Sequence, residues 1–369
     1  MHTKNQSEPL VFEPFPDQPP PLSLIGPVGW LRENMFNGWF NSVLTIVCVF
    51  FLGIVIPPLL SWTIFDATWF GDSDTCREGA GACWSFIGHK FQVFLVGAYP
   101  SAEIWRPALA GLLLFLLSIG TALRFFNKFT LLALWLIFPC VAFWLVNGGW
   151  LLFVVDQSRW GGLMLSIGLA LVGIMVSIPL GIVLALGRRS KVITIKSICV
   201  GIIEPIRGVP LITILFMASV MMPLFLPENM QINNMLRVQV GIILFSSAYM
   251  AEVVRGGLQA VSRGQVEAAR ALGLGYWRMN YLVILPQALR HVLPSLVGRC
   301  IALFKDTSLV IIVGLLDFLG MAKAATQDSD WLGYDAEAYI FCAMVYWTIC
   351  FGMSRYGRSI ELRGAAHNQ

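Results

Sequence analysis

The sequence predicts an all-α polytopic membrane protein with about eight transmembrane helices, on three observations. Of 369 residues, 57% are hydrophobic and only 12% charged, against roughly 25% charged in soluble domains. Apolar stretches near or above the roughly 17 residues needed to cross a bilayer recur along the chain. Lys and Arg gather in alternate short connectors, the bias that sets orientation. The net charge of +4 is small and its basic residues are dispersed, so neither a nucleic-acid surface nor an acidic partner is needed to explain them.

Taken in order, residues 1–40 begin with Pro14, Pro16, Pro19, Pro20 and Pro21 among acids and amides. They read as a mobile tail without the basic head, apolar stretch and cleavage site of a secretory signal. Clear spans run from about Asn41 to Leu60, Pro107 to Leu123, Phe129 to Val146, Gly162 to Leu186, Val209 to Leu226, Val238 to Val254 and Ala338 to Met353. Another apolar region, about Val292 to Gly320, is cut by Lys305, Asp306, Thr307 and Ser308, and reads as a broken span with a short return segment. With a cytoplasmic amino terminus, the inner connectors hold Arg124 and Lys128, then Arg188, Arg189, Lys191 and Lys196. Arg255, Arg263, Arg270, Arg278 and Arg290 follow, and last Arg355, Arg358 and Arg363. The outer connectors are poorer in basic residues, so both termini are expected inside.

Cys76 and Cys83 share an outer polar loop. A disulfide and two unpaired thiols are both open readings there, because spacing does not fix their geometry. His89 nearby completes no zinc pattern, and no metal site is expected. By character the chain divides into the tail 1–40, a three-helix extension with its outer loop over 41–156, and a part over 157–369 that carries charge at the edges and inside of its spans.

The cytoplasmic loop 262–290 reads SRGQVEAARALGLGYWRMNYLVILPQALR. Ser262 and Gln265 match a capping box. Glu267, Ala268, Ala269, Arg270, Ala271 and Leu272 favour helix, and Gly273 with Gly275 should end it. A second short helix is expected from about Tyr276 toward Pro286. Such a pair is either a knob that enters a partner's groove or an amphipathic hairpin lying on lipid.

Glu267, Ala268, Ala269, then Gly273, then Val283, Leu285 and Pro286 resemble the EAA loop of ABC importer permeases, with Val283 where that pattern has Ile. Glu204, Arg207, Gly208, Pro210 and Leu211 resemble the E-x-x-R-G-x-P-L segment of the polar amino acid (His/Glu/Gln/Arg/opine) permease family. Ala248, Tyr249, Ala251, Glu252, Arg255 and Gly256 resemble its A-Y-x-A-E-x-x-R-G segment, and Leu285 to Ala288 and Lys305 to Leu309 its LPQA and KDTSL signatures. The likeness covers about Gly162 to Arg363. Upstream, Cys76, Arg77, the run Gly81 to Trp84 and Trp105-Arg106-Pro107 are similar to the M-type permease subunit of the general L-amino-acid importer.

The resemblance implies a five-helix ABC importer permease core preceded by three additional helices, multi-pass in a bacterial inner membrane. It implies a heterodimer with a homologous second permease, two ATP-binding cassette ATPase subunits, and a periplasmic amino-acid-binding protein that delivers an L-amino acid. It assigns ATPase coupling to Gln265, Glu267, Ala268, Ala269, Arg270, Leu272, Gly273 and Pro286. The chain has no G-x-x-x-x-G-K-[ST] phosphate loop. ATP is therefore expected on the partner subunit, with no cofactor and no enzymatic activity here.

Ionisable residues within spans are functional candidates because their burial is costly. Lys305, Asp306, Thr307 and Ser308 offer a cation, an anion and two hydroxyls at a helix break, which would complement a zwitterionic amino acid; alternatively Lys305 and Asp306 only neutralise one another. Glu204 and Arg207, like Glu252 and Arg255, are three apart and suited to pairing as a static bridge or a gate. Glu252, deeper than Arg255, is the candidate for the substrate ammonium. Two other classes fit less well. A membrane enzyme finds no HExxH or G-x-S-x-G. A proton-coupled transporter needs a carboxylate relay, whereas Asp306 is the one obvious mid-span carboxylate.

Overall fold

The computed structural model describes residues 26–225, 227 and 232–366, and these are helical with short connections. The described residues fall into two compact units, one up to residue 68 together with 78–82, the other made of residues 69–77 and those from 83 on. In the first, α1 (Gly26–Asn34) occupies part of the expected tail, whose residues 1–25 lie outside the described ones. Helix α2 (Trp39–Leu60) continues as a π-helical turn, Ser61–Phe65. Pro57 and Pro58 lie inside α2 and cannot donate to the preceding turn. Their own carbonyls both accept the Ser61 N–H, where the helix widens.

The second unit begins with α3 (Ser73–Glu78) and α4 (Trp84–Val96), too short to span. Cys76 and Cys83 are joined in a disulfide with their Cα atoms 5.6 Å apart. The Cys83 N–H donates to Glu337 Oε1 at 3.0 Å. Helices α5 (Trp105–Leu123) and α6 (Lys128–Asn147) pack as a hairpin, started on the α6 side by Asn127, whose Oδ1 accepts the Phe129 N–H at 2.7 Å.

The remaining elements are α7 (Gly162–Arg188), α8 (Ile193–Gly208), α9 (Leu211–Phe216), a π-turn (Met217–Met221) and α10 (Met222–Phe225). After them come α11 (Asn234–Ala260), α12 (Arg263–Ala271), α13 (Tyr276–Met279) and a π-turn (Asn280–Ile284). The chain ends with α14 (Leu285–Asp306), a 3-10 turn (Thr307–Val313), α15 (Phe318–Ala325) and α16 (Asp335–Ala366). Helix α11 is the axis, packed along α7, α14 and α8. A Cβ on Gly181 would lie 2.6 Å from Met250 Cβ, so α7 and α11 approach closely only because that position is glycine.

Among the described residues six helices are long and apolar enough to cross a membrane alone, and a bent pair makes a seventh. That pair corrects the span expected from Val209. The amphipathic α8, not foreseen, precedes it and is turned 110° from the α9–α10 segment. Pro210 holds Val209 extended, at φ −117 and ψ 146, which ends α8. Helix α14 is also long enough, about 33 Å at 1.5 Å per residue, and is the most polar of the long helices because it carries Arg290, Arg299, Lys305 and Asp306. It runs unbroken through Lys305 and Asp306. The break expected among those residues begins one position later, at Thr307.

Candidate functional site

Two arrangements are built on this frame. The first is the knob between α11 and α14. Ser262 sits at the N-cap of α12 in extended backbone, but its side chain makes no capping bond, so the expected capping box is absent. The Gln265 side chain instead accepts from Gln287 Nε2 at 3.2 Å, tying α12 to the start of α14. At the other end the Leu274 N–H reaches Ala269 C=O at 3.1 Å and the Gly273 N–H reaches Arg270 C=O at 2.9 Å. With Gly273 at φ 73 this is a Schellman ending. Gly275, expected to share in that ending, is the N-cap of α13. The second helix is a single turn that widens through Asn280–Ile284 and passes straight into α14, with Pro286 in its first turn, where a missing N–H costs nothing.

The knob has an inner and an outer face. Ala269, Met279, Ile284 and Ala288 are buried in one cluster with Leu184, Ile203 and Val254. Ala269 therefore fastens the knob to the bundle. Gln265, Glu267, Ala268, Arg270, Leu272, Gly273 and Pro286 are exposed or nearly so. Beside them stand Trp277 and Tyr281, each 74% exposed, and Leu272 at 80%. The two aromatic residues were not singled out in the sequence, although large apolar side chains in a charged connector are themselves a signal of a contact surface.

The second arrangement is a charge cluster where α7 and α11 end. Arg188 Nη2 lies 2.6 Å from Glu204 Oε1, and Arg188 Nη1 3.4 Å from Glu252 Oε2. Arg207 Nη1 is 3.1 Å from Glu252 Oε2, and Arg255 Nε donates to Glu252 Oε1 at 2.7 Å. Glu204 and Arg207 thus do not pair with each other; each reaches to another helix. The expected pair Glu252 and Arg255 does form, and the Glu252 carboxylate takes three guanidinium groups at once. One turn earlier on α11, the Tyr249 ring lies 4.3 Å from Arg299 Cζ, and the Arg299 Nε is buried with no acceptor among the described residues. Nothing in the sequence marks Arg299 as part of a site, because no charged residue lies three or four positions from it to suggest a partner.

Lys305, Asp306, Thr307 and Ser308 lie elsewhere. None of the ion pairs among the described residues joins Lys305 to Asp306. The Thr307 and Ser308 hydroxyls donate to the Phe304 and Lys305 carbonyls, each at 2.8 Å, and close the end of α14. With Tyr249 against Arg299 and Gly257 against Ala288, α11 and α14 run antiparallel. Glu252 and Asp306 are then about ten residues, roughly 15 Å of rise, apart. One ammonium cannot meet both. A further buried carboxylate, Asp317, accepts the Gly320 N–H at 2.9 Å at the start of α15 and the Tyr346 hydroxyl at 3.3 Å from α16.

A family model described as "Binding-protein-dependent transport system inner membrane component" matches residues 177–363, just over half of the chain. The chain belongs to this family. The match takes in α8, the charge cluster, the knob and the end of α14. The inner membrane amino-acid ABC transporter permease protein YhdY of Escherichia coli (strain K12) is 49% identical to this inner membrane component, over 90% of this chain and 92% of that protein. The glutamate/glutamine/aspartate/asparagine transport system permease protein BztC of Rhodobacter capsulatus is 37% identical, over 93% and 95%. Both likenesses extend through the extension helices α2, α5 and α6. A solved amino acid ABC transporter with histidines is 30% identical over 55% of this chain and 92% of its own, at a TM-score of 0.49.

Proposed function

We propose that this chain is a permease subunit of an ATP-driven importer of L-amino acids in a bacterial inner membrane. The knob whose first helix ends at Gly273 receives a separate ATPase. The observation that carries the reading is the two-faced knob: an inner face locked to the bundle by Ala269 and Ile284, and an outer face with Leu272, Trp277 and Tyr281 free for contact. The names of the two long relatives support amino acids as the class of substrate. The working assembly is a heterodimer with a second permease, two ATPase subunits and a periplasmic amino-acid-binding protein. ATP is bound by the ATPase, this chain holds no cofactor, and it is not itself an enzyme. Both termini are cytoplasmic, residues 1–156 are a tail and extension, and residues 157–369 form the transport core.

In this reading Lys305 and Asp306 flank the substrate path at the end of α14, while Glu204, Arg207, Glu252 and Arg255 form an ion-pair gate. The occupied Glu252 carboxylate favours gate over substrate contact. The test is uptake of labelled amino acids into vesicles holding the complete assembly. Uptake should follow ATP and persist when the proton gradient is collapsed; uptake that follows the gradient instead would defeat the proposal.

A further inference from the structure

A cavity of about 370 Å³ lies between α5, α6, α7 and α11. Its walls are mostly apolar, with Gly111, Phe138, Gly168 and Val172 among them; Gln157 and Trp160 stand at one end, Asn233 also lines it, and Gln239, partway along, donates to the Leu169 C=O at 3.3 Å. From Met164 to Val172 along α7 it extends about 12 Å, close to the roughly 15 Å of hydrocarbon in one leaflet. The Trp160 side chain is 92% buried (8% exposed), and its indole N–H has no acceptor among the described residues. A buried donor without a partner is costly, and an apolar void of this size forfeits dispersion contacts along its whole lining.

One ligand answers both. We propose that this groove binds the acyl chain of a membrane phospholipid, with the ester region at the Trp160 end accepting the indole N–H. A chain fills a slot that is mostly apolar for one leaflet's depth, whose mid-depth amide, Gln239, is already bonded to Leu169, and whose unpartnered donor stands at its mouth, where tryptophan is at home in a bilayer. The orientation proposed above sets only the leaflet, which is then the outer one. Depth along α7 reads the same from either side, and ATP-driven uptake tests the transport reading separately.

Glycine supplies the probe. A Cβ built on Gly168 or Gly111 meets nothing within 4 Å, so a larger side chain at either position has room to start into the groove that both residues line. The full chain is placed in vesicles of phosphatidylethanolamine and phosphatidylglycerol containing a phosphatidylcholine with a photoactivatable diazirine, near the ester or at the chain end. Labelled peptides are then mapped by mass spectrometry. The ester-proximal probe should label near Trp160 and the chain-end probe near Val172 and Phe138. Gly168→Phe should lower groove labelling several-fold, with labelling elsewhere and thermal unfolding unchanged. Gly111→Leu should do the same, and it decides the matter if Gly168→Phe fails to fold. Labelling without depth order, or indifferent to both fillers, overturns the proposal. So does a Gly168→Cys variant that cross-links to another protein segment, because a helix would then cover the groove.

Discussion

Arg207 sets its Nη1 3.1 Å from Oε2 of Glu252, across the junction of α8 with α11. Arg188 from α7 and Arg255 from α11 reach the same carboxylate, so the ends of three helices converge on one acidic group. Cys199, Ile203 and Arg207 are four apart and share one face of α8, so the face that packs into the core through Cys199 and Ile203 also carries Arg207 to this cluster, just before the 110° turn. A change of partner at Glu252 would move α8 relative to α7, which is the property a gate requires.

Glu252→Gln should therefore destabilise the chain, by on the order of 1–3 kcal/mol, because Arg207 and Arg255 lose their counter-charge in a partly buried place and Arg188 keeps only Glu204. Arg207→Met alone should cost less, and the two together should cost less than their sum, since they remove one shared interaction. Thermal unfolding of the purified variants gives the cycle. Strict additivity would mean that Arg207 and Glu252 do not act as a pair.

Gly273→Asp should leave abundance near wild type and sharply reduce co-purification of the ATPase. The position has φ 73, which costs a non-glycine residue about 1 kcal/mol, less for Asp than for most. An added Cβ meets nothing inside the chain. Any large loss of binding then arises at the outer face of the knob, and undiminished co-purification would falsify the docking role.

Much of this was legible from hydropathy alone: α2, α5, α6, α7, α11 and α16 are long apolar runs, and such runs need no tertiary information. Helix α8 was not legible in that way. It is amphipathic, with Lys196, Glu204 and Arg207 among apolar residues, and it merges in sequence with the span that follows Pro210. Pairing went wrong for a related reason. Spacing of three places Glu204 and Arg207 on one face, yet an arginine on the next helix can compete for the same carboxylate, and Arg188 does. Gln265 shows the same competition, since its side chain serves Gln287 across the knob in place of the local cap. The EAA residues were found by pattern, but only the fold separates buried Ala269 from exposed Ala268.

Cys76 and Cys83 should be found bonded by mass spectrometry of the non-reduced protein. A bridge across seven positions limits the unfolded chain by about 2.5 kcal/mol in the loop-entropy model. Cys83→Ser should lower the unfolding midpoint, and reduction of the wild type should have the same effect. Labelling of both thiols in the untreated protein would contradict the bridge.

Asp328 accepts a hydrogen bond from the Lys90 ammonium, and that bond, aided by the Asp330 N–H, holds its carboxyl below the usual aspartate range. A depressed folded pKa gives stability that is present above the unfolded value, near 3.9, and lost as pH falls through the folded one. The contact should be indifferent to pH between 5 and 8, roughly, and fail only below about 4. Lys90→Met should remove that acid-dependent component from the unfolding profile. A profile for Lys90→Met that still matches wild type below pH 4, as read by circular dichroism, would show that the contact contributes nothing.

Asp306→Asn should reduce transport far more than it reduces assembly. Asp306 is half-buried near the end of α14, in ion-pair contact with no basic side chain among the described residues. Lys305 next to it is exposed and makes no ion pair with it. A carboxylate so placed is costly unless water, a moving partner or a passing ammonium group meets it. Replacing it by the isosteric amide removes the charge and keeps the shape, so helix α14 and its 3-10 end, closed by Thr307 and Ser308, should survive. If Asp306 were instead the static counter-ion of Lys305, the amide would strand an ammonium in the membrane, and the protein would disappear from it. Immunoblotting of membranes and uptake by whole cells separate the cases. Normal abundance with lost uptake supports a place on the substrate path, lost abundance supports the static pair, and normal uptake defeats both.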